Sequence, residues 1–261
     1  MKKILILTMS CNIPYFKKLL DVVKDTWAKP IIAGEYENIE WFGYTSCDEK
    51  HPHPMVDMDE HMIYVDVPDD ISHTYPKTYD AYQLIKDKVD FEYVVRTNTS
   101  LFVNIKNMYN RFNKIWCENE NTVIGYFLDG WMLMGFFYGI KKELFECGLY
   151  ERDIKDFTQG NIIENTDDVL ISVNLENKLG DYHKTTITED GLIPWYKPNL
   201  DKSECRETYE DPECCSFVPV DDDCIVYDSI VVRVRPPYDF DRTKTQEIEK
   251  IYELNNTLNR R

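Results

Sequence analysis

The chain has 261 residues, 43% of them hydrophobic and 13% aromatic, enough to bury a substantial core and too apolar for a disordered protein. A formal net charge of -17 excludes the Lys/Arg patches that hold nucleic acid or anionic membranes non-specifically, so no nucleic-acid partner is expected. No run reaches the ~18 apolar residues that a bilayer-spanning helix needs, so no membrane span is expected either.

In chain order, Lys3 to Met9 reads as a first buried strand. Two lysines precede its apolar run, but Ile4 to Leu7 is too short for the core of a signal peptide. A protein working in a reducing cytoplasm is therefore expected. Ser10-Cys11-Asn12 reads as the cap of a helix with Pro14 in its first turn and Phe16, Leu19, Leu20, Val23 and Trp27 on one face. Pro30–Ile32, Glu40–Tyr44 and Ile63–Val67 read as short strands, and Pro68-Asp69-Asp70 as a turn. A helix follows over about Thr74–Lys88, with Pro76 near its start.

The stretch Phe91 to Asn104 is the most informative. Tyr93 to Val95 is apolar, Arg96-Thr97-Asn98-Thr99-Ser100 is polar, and Leu101 to Val103 is apolar again. That pattern is a buried strand ending in a compact polar cluster. Ligands of open α/β sheets bind outside the carboxyl ends of the strands.

Further on, Asn107–Trp116 is a helix and Thr122–Tyr126 a strand, followed by the glycine-interrupted apolar run Met132–Ile140 and a short helix at Lys141–Cys147. Asp167–Lys178 is a helix, Thr185–Thr188 and Ile230–Val234 are strands, and Arg242–Leu258 is a charged closing helix with Ile248, Ile251 and Leu254 inward. Alternation of strands and helices in the first half predicts an α/β fold with a largely parallel sheet. The irregular segment 194–224 holds Cys205, Cys214, Cys215 and Cys224, whose spacings match no common zinc pattern. Free thiols, a local disulfide and a structural zinc remain open. Asn98-Thr99-Ser100 and Asn255-Asn256-Thr257 match the N-glycosylation pattern by chance.

Asp25-Thr26-Trp27, the helix carrying Tyr75 and Lys77, the block Tyr-Val-Val-Arg-Thr-Asn-Thr-Ser-Leu-Phe-Val-Asn and the later Asp167-Asp168-Val169 resemble, in that order, the beta-1,3-glycosyltransferases of family 31, including the Fringe-like enzymes. The likeness is one of motif order over residues 1–180. It implies a GT-A fold, the Rossmann-like nucleotide-diphospho-sugar transferase architecture, as one domain over residues 1–261. It also implies transfer of a sugar from a nucleotide-sugar donor to a glycan acceptor, with inversion. The family's acidic triplet falls on Asn98, Thr99 and Ser100, and neutral oxygens are poor ligands for a hard cation. No metal ligand is therefore assigned, and Mn or Mg is optional. The Arg-Thr-Asn-x-Ser form also resembles a variant in capsular, lipopolysaccharide and large-virus glycosyltransferases.

On this resemblance the donor side is Thr8, Ser10, Lys77, Arg96, Thr97, Asn98, Ser100, Arg233 and Arg235, with cations and amides meeting the diphosphate. Arg233 and Arg235 share one face of a strand. Asp167 or Asp168, with Asp167 the first choice, is the base that takes the acceptor hydroxyl's proton. Asp129, Trp131 and Tyr138 are the acceptor side, Trp131 stacking on a sugar face. The plainer readings are a hydrogen-bonded turn at Asn98–Ser100, capping carboxylates at Asp167–Asp168, and solvated charges at Arg233, Arg235 and Asp221-Asp222-Asp223. A non-catalytic module binding a nucleotide sugar or glycan is the alternative function.

Overall fold

A computed structural model describes residues 2–128, 132–152, 166–179, 182–186, 192–194, 196–198, 217–219, 231–233 and 246–259. The first half runs β1 (Ile4–Met9), α1 (Pro14–Asp25), α2 (Lys29–Ile32), β2 (Ile39–Ser46), β3 (Met55–Asp57), β4 (Met62–Val65), a 3-10 turn (Ile71–His73), α3 (Thr74–Ile85), β5 (Tyr93–Asn98) and β6 (Leu101–Val103). It continues with α4 (Ile105–Glu118), β7 (Thr122–Leu128), β8 (Met132–Lys141), α5 (Lys142–Gly148), α6 (Asp167–Leu179) and β9 (His183–Thr186). Four short strands follow, β10 (Leu192–Pro194), β11 (Tyr196–Pro198), β12 (Phe217–Pro219) and β13 (Val231–Arg233), and then α7 (Gln246–Leu258).

Eight strands form the main sheet in the order β3-β4-β2-β1-β5-β8-β7-β9. β4, β2, β1 and β5 are parallel, β7 and β9 run the same way, and β3 and β8 are reversed. The expected α/β class with a mostly parallel sheet is therefore observed. β6 leaves this sheet to pair antiparallel with β13, which pairs with β10. No helix among the described residues is long and apolar enough to cross a membrane.

Strand alternation divides the core in two. Ile4 and Ile6 of β1 and Tyr93 and Val95 of β5 join α1, α4 and α7 on one face. Leu5, Leu7 and Val94 join α3, α5 and α6 on the other. Both faces of the central strands are covered, which is why these strands read as continuous apolar runs. In the closing helix Ile251 and Leu254 are buried and Ile248 packs against the core, as the spacing predicts.

Three expectations change. Pro30–Ile32 lies in the short helix α2, because Pro30 sits in a first turn, where its fixed φ suits a helix and its missing N–H is no loss. β3, at the sheet edge, was not foreseen. Ser10-Cys11-Asn12 does not cap α1: the cap position is Ile13, with no side-chain bond. Asn12 is engaged elsewhere, its amide nitrogen donating to the Cys47 carbonyl at 3.1 Å.

Gly139 of β8 lies under α4. A Cβ there would come within 2.5 Å of the Phe112 ring and 3.0 Å of Trp116. Trp116 is itself stacked on Tyr93, with ring centroids 3.9 Å apart, so neither ring has room to retreat. Gly139→Ala is predicted to destabilise the fold by about 1–3 kcal/mol through overpacking, read as a lower urea midpoint with an unchanged m-value.

Candidate active site

The carboxyl ends of β1, β2, β4 and β5 meet at one edge of the sheet, the usual ligand side of an open α/β fold. The loop after β4 supplies the organising group there, Asp69. Its carboxylate accepts from the Asn12 backbone N–H, pairs with the Lys77 ammonium, and accepts from the Ser46 hydroxyl at 2.6 Å. Lys77 Nζ also donates to the Ser10 carbonyl at 2.7 Å. The loops after β1, β2 and β4 are thus tied to the first turn of α3 through one carboxylate and one ammonium. Lys77 is buried and its charge is committed to Asp69, whereas the sequence suggested a cation free for a diphosphate.

At the end of β5, the Asn98 side-chain oxygen accepts the Ser100 N–H at 3.1 Å. This is the plain turn reading, in which a short amide holds its own chain reversal. Thr97, Thr99 and Ser100 are buried, and Asn98 is half-buried. Ser10 is buried with its hydroxyl on the Phe16 carbonyl, at 3.3 Å, and Thr8 is buried where its hydroxyl accepts from the Trp41 indole at 2.8 Å. Of the donor set read from the sequence, Asn98 is the described residue with an accessible side chain at the strand ends. β13 runs beside this turn, its register setting Arg233 opposite Leu101, one residue past Ser100. Arg235, Asp129 and Trp131 lie outside the described residues, as do the four clustered cysteines and Asp221-Asp222-Asp223.

Arg96 does not point out from the strand ends. Its place in the alternation, two residues after Val94, turns it towards α3 and α6, where it is 2% exposed. Its Nε lies 2.8 Å from Asp167 Oδ2 at the start of α6. The approach is off the N–H axis, so Nε has a charge partner without an aligned hydrogen bond. Thr78 of α3 donates to the same carboxylate oxygen at 3.2 Å, and the Tyr44 hydroxyl lies 2.9 Å from Thr78 Oγ1. Tyr138, placed on the acceptor side from sequence, is a fully buried core residue facing this group across the β5–β8 ladder, opposite Arg96. Its hydroxyl has no hydrogen-bond partner among the described residues.

Burial pushes the Asp167 carboxyl up to about 6; the guanidinium pulls it down by less, and the neighbouring Asp168 charge adds to the rise. Burial is the largest single influence on Arg96 and works against its charge, but Asp167, Tyr44, Tyr138 and Asp168 together outweigh it and the guanidinium ends above its usual value. The two shifts disagree on whether the site favours the ion pair. The upward direction for Asp167 is the one that matters, because Arg96 stays protonated in either case. Burial also raises the Tyr44 hydroxyl to about 12 and Tyr138 well above its usual value, so both remain neutral.

Asp168 is different. It is half-exposed; Oδ2 accepts the Gly135 N–H at 3.0 Å and Oδ1 the Val169 N–H at 3.0 Å. A Cβ on Gly135 would stand 2.9 Å from Asp168 Cβ, so only glycine leaves room for this contact. Thr97 pairs with Phe137 in the antiparallel β5–β8 ladder. Gly135 therefore lies two residues further along β8, past the end of β5 and level with the Asn98–Ser100 turn. Ser172 braces the same corner, donating to the Asp168 carbonyl at 2.7 Å and accepting from the Leu133 N–H at 2.9 Å. Of the two sequence candidates, Asp167 is consumed by a buried charge pair, and Asp168 is the one with an accessible carboxylate.

The described residues at the strand ends do not fit a divalent ion. Asn98 is a neutral amide already used in its turn, Thr99 and Ser100 are buried hydroxyls, and Asp69 is neutralised by Lys77. Asp69, Asn12, Ser46 and Thr78 were missed from sequence. Asp69 read as a turn residue, although the strand-end rule that singled out Asn98 applies equally to the loop following β4.

No protein-family model and no curated protein matches the sequence. Several solved structures that align with it are named as glycosyltransferases. A mannosyltransferase from Pyrobaculum calidifontis in complex with GDP-Man and Mn2+ has 12% identity and a TM-score of 0.42, over 71% of this chain and 54% of its own. The chain thus spans about half the length of that enzyme. A glycosyltransferase involved in glycosylation of the major capsid of PBCV-1 has 11% identity and a TM-score of 0.48, over 96% of this chain and 99% of its own. A galactosyltransferase in complex with donor and acceptor sugar analogues has 13% identity and a TM-score of 0.41, over 98% and 95%. Likenesses this distant assign no residue a role.

The raised Asp167 carboxyl predicts a pH dependence. An unfolded aspartate titrates near about 3.9, the folded one at about 6. Between those values the folded state holds the extra proton. Stability from this group is therefore fullest below about pH 4, falls as pH rises to about 6, and is level above. Asp167→Asn should abolish that component, so the wild-type minus variant difference in unfolding free energy declines across this window and flattens beyond it.

Proposed function

We propose that the protein is a glycosyltransferase with a GT-A type of arrangement, moving a sugar from a nucleotide-sugar donor to a hydroxyl of a glycan acceptor with inversion. The observation that carries this reading is the place of Asp168. It is a half-exposed carboxylate, fixed by two backbone N–H groups, beyond the carboxyl end of β5. Inverting transfer needs one carboxylate to accept the acceptor hydroxyl's proton as that oxygen attacks the anomeric carbon, and such a base contributes about 10²–10⁴-fold. The bonds from Gly135 and Val169 orient the carboxylate while leaving further lone pairs free for the incoming proton.

In this reading the donor lies along the ends of β1 and β5. The Asp69–Lys77 pair holds the loops around it, and Asn98 supplies a hydrogen-bonding amide. Arg233, entering beside the Asn98–Ser100 turn, offers charge for the diphosphate, as does Arg235. Asp129 and Trp131 belong with the acceptor. No step is routed through a metal, since the described donor set does not suit one. The binding-only alternative has one observation in its favour: the Asn98 amide oxygen is already used by its own turn.

Asp168→Asn is expected to lower the transfer rate by about 10²-fold or more, beyond the modest fall in thermal midpoint from losing one of its two backbone N–H bonds, measured over a panel of nucleotide sugars with glycan acceptors. Activity in EDTA should match activity with Mn2+. Full transfer by Asp168→Asn would remove it as the base, and donor binding with no turnover in the wild type would make the protein a binding module. Arg233→Gln should raise the donor KM about tenfold or more with a smaller effect on kcat.

A further inference from the structure

At the β3 edge of the main sheet, away from Asp168, three side chains with ligating atoms converge. His51 lies on the loop after β2, Asp57 ends β3, and Glu60 stands in the turn to β4; one donor atom from each lies within 4.8 Å of the other two. We propose that His51, Asp57 and Glu60 form a binding site for a divalent cation of borderline character, of the zinc class, which fastens the β2–β3 loop to the β3–β4 hairpin.

The histidine separates this group from an ordinary patch of surface acids. His51 is 8% exposed and its ring is stacked on Tyr64, with centroids 3.9 Å apart and planes 16° from parallel. Asp48 Oδ1 lies 3.1 Å from Nδ1 and also accepts the His51 backbone N–H at 2.8 Å. A carboxylate on one imidazole nitrogen fixes the tautomer and leaves the other as the lone-pair donor, the arrangement usual behind metal-bound histidines. Here that places the proton on Nδ1 and the lone pair on Nε2, which no described residue hydrogen-bonds.

The carboxylates are nearly ready. Asp57 Oδ1 accepts the Asp59 and Glu60 N–H groups at 3.1 and 2.9 Å, which holds the turn and leaves its second oxygen for an ion. Glu60 pairs with Lys50 at 3.0 Å, but Lys50 is 71% exposed, and a pair this open contributes little and exchanges readily. Zinc bonds of about 2.0–2.2 Å need donors about 3.3–4 Å apart in a tetrahedral or flattened geometry, a small side-chain rotation from the arrangement present. One nitrogen and two carboxylate oxygens suit zinc or cobalt better than magnesium, which favours oxygen alone. The loop bearing His51 also carries Cys47, whose carbonyl holds Asn12 at the cleft, so fastening it would steady that side of the cleft.

The test is titration of the full chain with Zn2+ by calorimetry and with Co2+ by visible absorption. One saturable equivalent is expected, with a cobalt spectrum of nitrogen and oxygen ligands and no thiolate charge-transfer band. Asp57→Asn keeps an Oδ1 for the turn and Glu60→Gln keeps the side chain's shape. Each should weaken binding tenfold or more, as should His51→Ala if it folds. Zinc should raise the thermal midpoint of the wild type and not of Glu60→Gln. Undiminished binding in both carboxylate variants, a thiolate band, or the lack of one saturable equivalent would overturn the site.

Discussion

Arg96 and Asp167 meet inside the protein because two short-range rules bring them there. The period of two along β5 sends Arg96 to the α6 face, and α6 begins with an aspartate where a helix N-terminus favours negative charge. Once paired, both charges are out of water, so neither can be removed without stranding the other. Thr78 and Tyr44 extend the contact into α3 and β2, joining four elements around one carboxylate. The same pairing fixes the first turn of α6, and with it the direction of Asp168.

The two adjacent aspartates therefore have different tasks. Successive residues on a helix point about 100° apart. Asp167 thus enters the core while Asp168 turns to Gly135. Asp167 bears on stability and its pH dependence, and Asp168 is the carboxylate we propose as the base. Asp69 organises the opposite wall in a similar way, with its loop held by Lys77 from α3. Two buried or nearly buried charge pairs thus hold the groups around the strand ends in fixed positions.

A polar cluster between apolar runs usually signals function, and at Arg96–Ser100 it signals architecture as well. Arg96 serves the interior, Thr97 and Thr99 are buried, and Asn98 and Ser100 close a turn that lets β6 leave for a different sheet. The cluster marks the right edge of the fold, although most of its members do not face a ligand.

The sequence by itself determined the elements and the kind of fold. Periods of two and 3.6 in the apolar residues are local, so β1, β5, α3, α4, α6 and α7 were legible to within a few residues, and strand–helix alternation implied the parallel sheet. Failures came where a proline suits either reading, as at Pro30, or where a strand has three residues on an edge, as at β3. Tertiary structure alone decided which polar residue meets which. Asp69 joins Asn12, Ser46 and Lys77 because parallel crossovers bring distant loops to one edge, and His51 approaches Asp57 and Glu60 because the antiparallel β3–β4 hairpin folds back beside the loop after β2. No local pattern records that meeting. Sequence could name Asp167-Asp168 as a pair; the Arg96 charge buried beneath α6 decided which of them is taken into the core and which stays accessible.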